Sequence, residues 1–315
     1  MTSTTKLPAR VRAHLKQVSQ HVYINPLEKC NLKCKICYTR KTDPILSAAE
    51  IQDFLARYQK VQSIQTVTFC GGEVFALAYF PGLVNALTAQ GIFVQVITNG
   101  TIDRLAEFTH PELVNLITSL DGVEAYHDQN RGVGNFRKSI TFLQKAKKLG
   151  FHTDIFSIVT RQNLPRIDEF ETALVAELGE GHTITYHPRK PPAYLTVHPV
   201  SNIVGETEGF DFLTPAEMRE IMQTRNVFPP MQLGCYQVAL ASDGKVYGCC
   251  EGTVPIGHIL DDPAQLLKQL EVRLHEWAAT SPTANCLGCT QSHFMCGIKS
   301  YLQEIQEVQR ASFVE

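Results

Sequence analysis

Three cysteines lie within eight residues near the start of the chain: Cys30, Cys34 and Cys37. Three thiolates so close on one segment can converge on a single soft metal centre, and ligation by cysteine alone suits an iron–sulfur cluster or zinc. A structural zinc site needs a fourth nearby cysteine or histidine, and none follows before Cys70. Three ligands on a four-iron cluster leave one iron open to an exogenous ligand. The spacing therefore favours a centre that does chemistry over one that stabilises the fold.

A second group of candidate residues, Gly71, Gly72 and Glu73, follows a predicted strand. One interpretation is structural, because paired glycines are ordinary in the turn between a strand and a helix. The other is functional, because glycines let the backbone approach a ligand while the Glu73 carboxylate binds an ammonium group. Asn99 and Ser119 also lie at the carboxyl ends of predicted strands, where barrels bind their ligands.

Six short apolar runs alternate with helical patterns and are predicted as strands. They are Val22–Asn25, Ile64–Phe69, Phe93–Thr98, Leu113–Leu120, Asp154–Val159 and Thr183–Tyr186. Capping boxes at Ser47 and Thr214 mark the starts of two helices. The alternation indicates parallel βα units in an α/β fold. Prolines between positions 188 and 212 mark a loop, and we divide the chain into an extension (1–19), a βα domain (20–205) and a cysteine-rich module (206–315).

Six of the ten cysteines fall in the last third of the chain. An Asp-Gly turn predicts a β-hairpin over 238–247, which brings Cys235 beside Cys249. A returning loop with Cys286 and Cys289 completes four thiolates around one metal. A zinc ribbon and an iron–sulfur cluster are equally compatible with these ligands.

The composition excludes several classes of protein. Lys and Arg total 29 against 31 Asp and Glu, and the net charge of −2 gives no support for binding to nucleic acid or to a membrane surface. The sequence has no run of about 18 apolar residues, and its first residues lack the apolar segment of a secretory signal. We therefore expect a cytoplasmic protein whose clustered cysteines serve metal or redox chemistry.

Taken in order, these motifs resemble the radical S-adenosylmethionine (radical SAM) superfamily. The Cys-x3-Cys-x2-Cys spacing is followed directly by an aromatic residue, Tyr38, and the Gly-Gly-Glu, Thr-Asn-Gly and Ser-x-Asp-Gly segments follow in the family's order. The resemblance implies a partial (β/α)6 TIM-like barrel in which Cys30, Cys34 and Cys37 hold a 4Fe–4S cluster. Its open iron binds the amino and carboxylate groups of S-adenosylmethionine (SAM). Val74 departs from the family, which often has proline there.

The resemblance also implies the contacts of the cosubstrate. In chain order they are Tyr38, Gly71, Gly72, Glu73, Asn99, Ser119 and Arg131. Glu73 is expected on the amino group, while the segments of Asn99 and Ser119 line the nucleoside and the carboxylate. Arg131, in a His-Asp-x-x-Arg-Gly segment, either binds that carboxylate or forms a salt bridge, and both roles stay open.

The C-terminal module resembles the SPASM and twitch extensions, which carry auxiliary 4Fe–4S clusters. The full SPASM pattern has more cysteines than this chain offers, and Ser300 stands where one of them is expected. We therefore expect one auxiliary cluster, on Cys235, Cys249, Cys286 and Cys289. Cys250 and Cys296 are spare or compete as ligands. Cys250 or Cys70 would suit a hydrogen-atom donor, although a small buried hydrophobe is the favoured interpretation of a spare cysteine.

The resemblance implies an enzyme, a radical SAM oxidoreductase. One electron from a flavodoxin- or ferredoxin-like donor cleaves SAM, and the resulting 5′-deoxyadenosyl radical abstracts hydrogen from a substrate inside the barrel. The expected outcome is the oxidative modification of a peptide, a protein or a small sugar-like molecule. Only 29 residues precede Cys30, too few for a peptide-recognition domain, so a peptide is expected to need a separate recognition protein or capture by the barrel mouth.

Two alternatives stay open. In the first, the enzyme is a redox-neutral epimerase in which a cysteine such as Cys250 donates hydrogen to the substrate radical. In the second, the chain is a zinc-stapled binding module without turnover. Bound iron and cleavage of SAM distinguish both enzymes from the binding module.

Overall fold

The protein is described by a computed structural model over residues 16, 19–189, 208–227, 238–250, 252 and 254–280. Within these residues, nine strands form one sheet in the order β6-β5-β4-β3-β2-β1-β7-β8-β9. The strands are β1 (His21–Ile24), β2 (Thr66–Phe69), β3 (Phe93–Thr98), β4 (Val114–Ser119), β5 (His152–Val159), β6 (Thr183–Pro188), β7 (Val238–Leu240), β8 (Lys245–Tyr247) and β9 (Pro255–His258). Strands β1 to β6 are parallel to one another, as successive βα units require.

Seven α-helices connect or flank the strands in the same part of the chain. They are α1 (Ala48–Gln59), α2 (Phe80–Thr88), α3 (Glu124–Arg131), α4 (Asn135–Lys148), α5 (Ile167–Leu178), α6 (Pro215–Thr224) and α7 (Pro263–Thr280). The predicted capping boxes are present: Ser47 pairs with Glu50 before α1, and Thr214 pairs with Glu217 before α6. Two helices, α3 and α4, connect β4 to β5, whereas the sequence pattern predicted only the second of them.

The two faces of the sheet differ in character because successive strand residues point to opposite sides. Val22 and Ile24 of β1 are fully buried and share one hydrophobic core with residues of α1 and α2. The alternate residues are polar: His21 Nε2 lies 2.7 Å from Thr68 Oγ1, which in turn donates to Gln95 Oε1 at 2.8 Å. The helices thus cover one face, and the polar residues line the other.

The predicted hairpin is present and continues the parallel sheet. Strand β7 pairs in parallel with β1, with Val22 opposite Val238 and Ile24 opposite Leu240. Strands β8 and β9 follow in antiparallel pairing. Gly244 at the turn has φ +81°, a conformation that favours glycine. The sequence predicted this hairpin but not its union with β1, and the domain boundary at 205/206 stays a prediction.

Candidate active site

The loop between β1 and α1, here called the cysteine loop (residues 25–46), carries Cys30, Cys34 and Cys37. An isolated antiparallel bridge between Leu27 and Ile45 joins the two ends of the loop. The backbone turns sharply inside it, because the Cys37 N–H donates to the Cys34 carbonyl at 3.3 Å. All three thiols are half-buried. The loop therefore presents its three cysteines at the carboxyl end of β1.

Lys41 closes the cysteine loop across its base. Its φ of +54° is the only left-handed conformation of a non-glycine residue among the described residues. Its ammonium group donates to the Leu32 carbonyl at 2.9 Å, and the Leu32 N–H points at Cys30 Sγ at 3.4 Å. The unfavourable backbone conformation of Lys41 therefore accompanies a hydrogen bond that holds Leu32 beside Cys30, a candidate cluster ligand.

Gly71 and Gly72 lie against the cysteine loop. A Cβ atom on Gly71 would lie 2.2 Å from the Leu27 carbonyl oxygen, and one on Gly72 would lie 1.8 Å from the Lys29 carbonyl oxygen. The Gly72 N–H donates to Leu27 and the Glu73 N–H to Lys29, at 2.9 and 3.0 Å. These glycines therefore allow the end of β2 to pack closely against the backbone of the cysteine loop. Their expected contact with SAM stays a prediction.

The Glu73 carboxylate is fully buried at the end of β2. It accepts hydrogen bonds from the Phe75 N–H at 3.1 Å, the Thr98 hydroxyl at 2.9 Å and the Asn99 N–H at 2.8 Å. Burial raises its pKa, whereas these hydrogen bonds and the charge of Arg131 oppose the rise. No lysine or arginine of the described chain forms an ion pair with it. An ammonium group fits this carboxylate, because it would supply the missing positive charge.

Asn99 connects Glu73 to the cysteine loop. Its N–H binds the Glu73 carboxylate, while its side-chain amide donates to Asn31 Oδ1 at 2.9 Å and lies 3.7 Å from Cys30 Sγ. The structure thus brings Asn99, Glu73 and Cys30 together at one edge of the sheet, where the sequence predicted a site. Ser119 is half-buried at the end of β4.

Arg131 forms a salt bridge with Asp121. Its Nε lies 2.6 Å from Asp121 Oδ2 and a terminal nitrogen lies 3.0 Å from Oδ1, and the carboxylate is fully buried. Burial alone would raise the pKa of Asp121, but the charge and hydrogen bonds of Arg131 hold it below its usual value. Of the two roles left open by the sequence, this structure shows the salt bridge. Binding of a carboxylate by Arg131 stays a prediction.

Asn130 docks the cysteine loop onto α3 and was missed by the sequence analysis. Its backbone carbonyl accepts from the Lys35 N–H at 3.0 Å, and its side-chain carbonyl accepts from the Ile36 N–H at 3.3 Å. Its side-chain amide donates to Asp121 at 2.7 Å. Ile36 itself packs in a small hydrophobic cluster with Tyr126. An amide beside Arg131 gives no sequence signal of its own, because its partners are distant along the chain.

The cysteine thiols lie where cations act on them. Burial raises the pKa of Cys34 to about 11, although the charge of Arg131 opposes the rise. Burial also raises the pKa of Cys30, although the hydrogen bond from the Leu32 N–H and the charge of Lys41 oppose the rise. The neighbouring cysteines raise the pKa of both Cys30 and Cys34 further. Metal binding must therefore displace protons from these thiols, as it does at thiolate sites generally.

The donor set fits a cluster held by three thiolates. Within the described residues, no three cysteine, histidine or carboxylate side chains are close enough to hold one metal ion. A four-iron cluster takes each thiolate on a different iron, so its ligands need not meet at one point. Of the proposed auxiliary ligands, Cys249 is buried at the end of the hairpin. Cys235, Cys286, Cys289 and the spare Cys296 lie outside the described residues.

A cavity of about 330 Å³ lies between the cysteine loop and the hairpin. Tyr23 and Cys70 line it from the sheet, Tyr38 and Arg40 from the cysteine loop, and Cys250 from the end of the hairpin. The Tyr23 hydroxyl is hydrogen-bonded to Cys70 Sγ. A larger groove of about 860 Å³ lies between α5 and β6, where none of the predicted site residues lines it. We take the smaller cavity as the candidate substrate space, because it adjoins the cysteine loop.

Comparison with known proteins identifies the domain. The family description "Radical SAM superfamily" matches residues 24–173, which include the cysteine loop, Glu73, Asn99 and Arg131. Residues 24–173 are a radical SAM domain. The predicted resemblance is therefore confirmed, and with it the expectation that a 4Fe–4S cluster and SAM are the cofactors.

Three similar proteins extend this result. The sporulation killing factor maturation protein SkfB of Bacillus subtilis is 24% identical over 277 residues, which cover 76% of this chain and 64% of SkfB. The structure of anSMEcpe with bound AdoMet has a TM-score of 0.66 at 15% identity, over 94% of this chain and 100% of that one. Streptococcus suis SuiB bound to precursor peptide SuiA has a TM-score of 0.62 at 14% identity, over 82% and 67%.

The two solved structures confirm the predicted fold class, an α/β partial barrel, while the C-terminal module stays a prediction. The chain spans just under two thirds of the length of SkfB. The SPASM-type resemblance agrees with an auxiliary cluster, whose ligands remain to be assigned. Among the described helices, none combines the length and apolar character needed to cross a bilayer.

Proposed function

We propose that this chain is a radical SAM enzyme in which Cys30, Cys34 and Cys37 hold the 4Fe–4S cluster and Glu73 binds the amino group of SAM. When bound, the cluster supplies the electron that cleaves SAM to methionine and a 5′-deoxyadenosyl radical. The single observation that carries this assignment is the fully buried Glu73 carboxylate beside the cysteine loop. Arg131 is the cation whose charge acts on the pKa of Glu73, and it is already paired with Asp121.

The protein's own residues hold the reactants in place. Three donors fix both oxygens of Glu73, so the carboxylate is oriented before a ligand arrives. Asn99 links that carboxylate to the cysteine loop, and Asn130 links the loop to α3. Such preorganisation places the ammonium of SAM and the cluster ligands at a fixed separation, which a single-electron cleavage requires.

We infer a peptide or protein substrate. SkfB is named as a maturation protein of a killing factor, and SuiB was solved with its precursor peptide SuiA. The cavity between the cysteine loop and the hairpin, lined by Tyr23 and Tyr38, offers a site for one side chain of such a peptide. A small sugar-like substrate is the other class to test. A separate recognition protein and a flavodoxin- or ferredoxin-like electron donor are the proposed partners, and the cytoplasm is the proposed location.

We further infer an oxidative outcome, because an auxiliary cluster on Cys235, Cys249, Cys286 and Cys289 would accept an electron from the substrate radical. A redox-neutral epimerisation is the second candidate. Cys70 and Cys250 both line the candidate substrate cavity, so either thiol is placed to return a hydrogen atom. Products formed in deuterated water separate the two, since an epimerase incorporates solvent deuterium at the reacting carbon and an oxidase changes the mass by lost hydrogen.

The decisive experiment is anaerobic reconstitution with iron and sulfide, followed by assay for 5′-deoxyadenosine. We expect a brown protein with broad absorbance near about 400 nm that cleaves SAM when reduced. The variant with Cys30, Cys34 and Cys37 all changed to alanine should lose this cleavage, while Cys70→Ala, a matched control in the same site, should keep it. A colourless, zinc-loaded protein without SAM cleavage would instead establish the zinc-stapled binding module.

The substrate is identified by label transfer. Deuterated candidate peptides and sugars are incubated with the reduced enzyme, and the deuterium content of 5′-deoxyadenosine is measured. Transfer from a peptide supports the proposed class. Transfer from sugars alone would replace it.

A further inference from the structure

The cysteine loop concentrates positive charge in a chain whose net charge is −2. Across residues 25–46 it carries five cations, Lys29, Lys33, Lys35, Arg40 and Lys41, against two anions, Glu28 and Asp43, which makes its net charge +3. So strong a local excess creates a positive potential that extends about a Debye length, roughly 8 Å, into solvent.

Two cations are held inside the site by hydrogen bonds. Lys41 donates to the Leu32 carbonyl at 2.9 Å, and Arg131 donates to Asp121 at 2.6 Å. Their role is accounted for by the proposed cluster.

Three other cations, Lys33, Lys35 and Arg40, have exposed side chains. None of them forms an ion pair within the part of the chain that the structure describes, whereas Lys29 pairs with Asp43 at 3.0 Å. SAM does not explain them, since its sulfonium and ammonium groups outweigh its one carboxylate. Their positive charge therefore remains available to a partner of opposite charge.

We propose that Lys33, Lys35 and Arg40 form the docking surface for an acidic electron-carrier protein of the flavodoxin type. The inference rests on the proposed function and names its partner surface. One electron passes from the reduced flavin of the carrier to the cluster, so that the carrier is oxidised and the cluster reduced, and no atom is transferred between them. Lys33 and Lys35 are the sequence neighbours of Cys34, a proposed cluster ligand, so a donor bound to them lies close to the proposed cluster.

The test compares two charge reversals of equal size in the reconstituted full chain. The first is Lys33→Glu with Lys35→Glu; Arg40 is left unchanged because it also lines the candidate substrate cavity. The matched control is Lys60→Glu with Lys148→Glu, two exposed lysines elsewhere that also lack ion pairs among the described residues. Formation of 5′-deoxyadenosine is measured with a recombinant bacterial flavodoxin and its reductase. It is also measured with dithionite and with reduced methyl viologen, two small reductants of opposite charge.

The loop variant should lose at least about 10-fold of its flavodoxin-driven rate at low salt while keeping both small-molecule rates within about twofold. Its deficit should shrink as ionic strength rises, because salt screens the lost attraction. Equal losses in the control variant would overturn the proposal, as would a loop variant with an unchanged flavodoxin-driven rate. Loss of the small-molecule rates as well would place these cations in the cluster site instead.

A docking site for an acidic peptide substrate is the competing explanation. It would show as a raised substrate KM in the loop variant with flavodoxin-driven cleavage of SAM unchanged, and that outcome would also overturn the proposal. The proposed function fails separately, if the wild-type protein forms no 5′-deoxyadenosine with dithionite or methyl viologen.

Discussion

Glu73 is a buried carboxylate whose charge no described lysine or arginine neutralises, although three hydrogen bonds satisfy its oxygens. Buried charges are normally paired, because desolvation penalises them heavily. The free protein bears this cost at the position where the ammonium of SAM is expected. Affinity for the cosubstrate should therefore come largely from completing this pair.

The first prediction is that Glu73→Gln weakens SAM binding about 10- to 150-fold, since a charge-assisted hydrogen bond contributes about 1.5 to 3 kcal/mol. Glutamine keeps one carbonyl acceptor, so either the Phe75 N–H or the Asn99 N–H, which bind different oxygens of Glu73, loses its partner. We expect a loss of about 1 to 3 kcal/mol in the free energy of unfolding, with iron content preserved. Calorimetry under nitrogen measures the affinity. Glu169→Gln, an exposed carboxylate on α5, serves as control. An affinity within twofold of wild type would remove Glu73 from the SAM site.

The second prediction concerns Asn130, whose amide binds Asp121 and whose carbonyl binds the cysteine loop. Asn130→Asp keeps the acceptor for the Ile36 N–H but places a second carboxylate against Asp121. We expect a loss of about 1 to 3 kcal/mol in the free energy of unfolding and a lower iron content after reconstitution. Urea denaturation and iron analysis measure the two effects. Gln129→Glu, an exposed neighbour on the same helix, should change neither.

At the scale of elements, β2 and the cysteine loop are packed backbone to backbone through two glycines. The third prediction is that Gly72→Ala lowers the free energy of unfolding by at least about 1 to 3 kcal/mol and displaces the cysteine loop. The reason is that the added Cβ would lie only 1.8 Å from the Lys29 carbonyl oxygen. Gly82→Ala is the matched control: no atom lies within 4 Å of its Cβ position, and it lies in α2. The control should be neutral or stabilise the protein by about 0.5 to 1 kcal/mol. Equal unfolding midpoints in urea would contradict the close packing.

The fourth prediction is that lowering the pH destabilises the protein through a buried histidine of α3. Burial lowers the pKa of His127 to about 4, and its Nδ1 accepts from the Asp121 N–H. The unfolded chain binds its proton near pH 6.5, so the contribution of the neutral histidine is complete above that pH and is lost as pH falls toward 4. Between pH 7.5 and 5 the loss should be about 2 kcal/mol.

Urea denaturation of the iron-free protein at the two pH values measures this loss. His127→Gln should flatten the dependence, whereas His152→Gln, an exposed histidine on β5, should leave it unchanged. An equally steep dependence in both variants would assign the acid sensitivity to other groups.

The sequence predicted most elements because their signals are local. Buried β-branched runs bounded by glycine turns marked β2 and β3, and the capping box at Ser47 marked the start of α1. Helix α3 escaped prediction because it is short and polar, and the burial of Tyr126 and His127 depends on distant contacts. The same reason hid Asn130. The cysteines and Glu73 could be proposed from the sequence because chemistry restricts the residue types that hold a cluster or an ammonium group, whereas positioning residues have no such restriction.

At the scale of the whole molecule, the count of irons tests the division between catalytic and auxiliary clusters. The fifth prediction is that changing Cys30, Cys34 and Cys37 to alanine removes about four irons per chain and leaves about four. Adding Cys249→Ala to that variant should lower the remainder further. Iron and sulfide analysis with Mössbauer spectra measures the count, and about eight irons left in the triple variant would exclude a single auxiliary cluster.

The parallel pairing of β7 with β1 has a consequence for synthesis on the ribosome. Val22 and Val238 are neighbours in the sheet but are separated by 216 positions in the sequence. At about 5 to 20 residues per second, β1 waits roughly 10 to 40 seconds before its second partner strand has been made. During that interval β1 is an open edge strand with unpaired backbone groups, a template for wrong pairing. Nascent chains of this protein should therefore depend on ribosome-associated chaperones until the hairpin emerges, and cluster insertion should follow release.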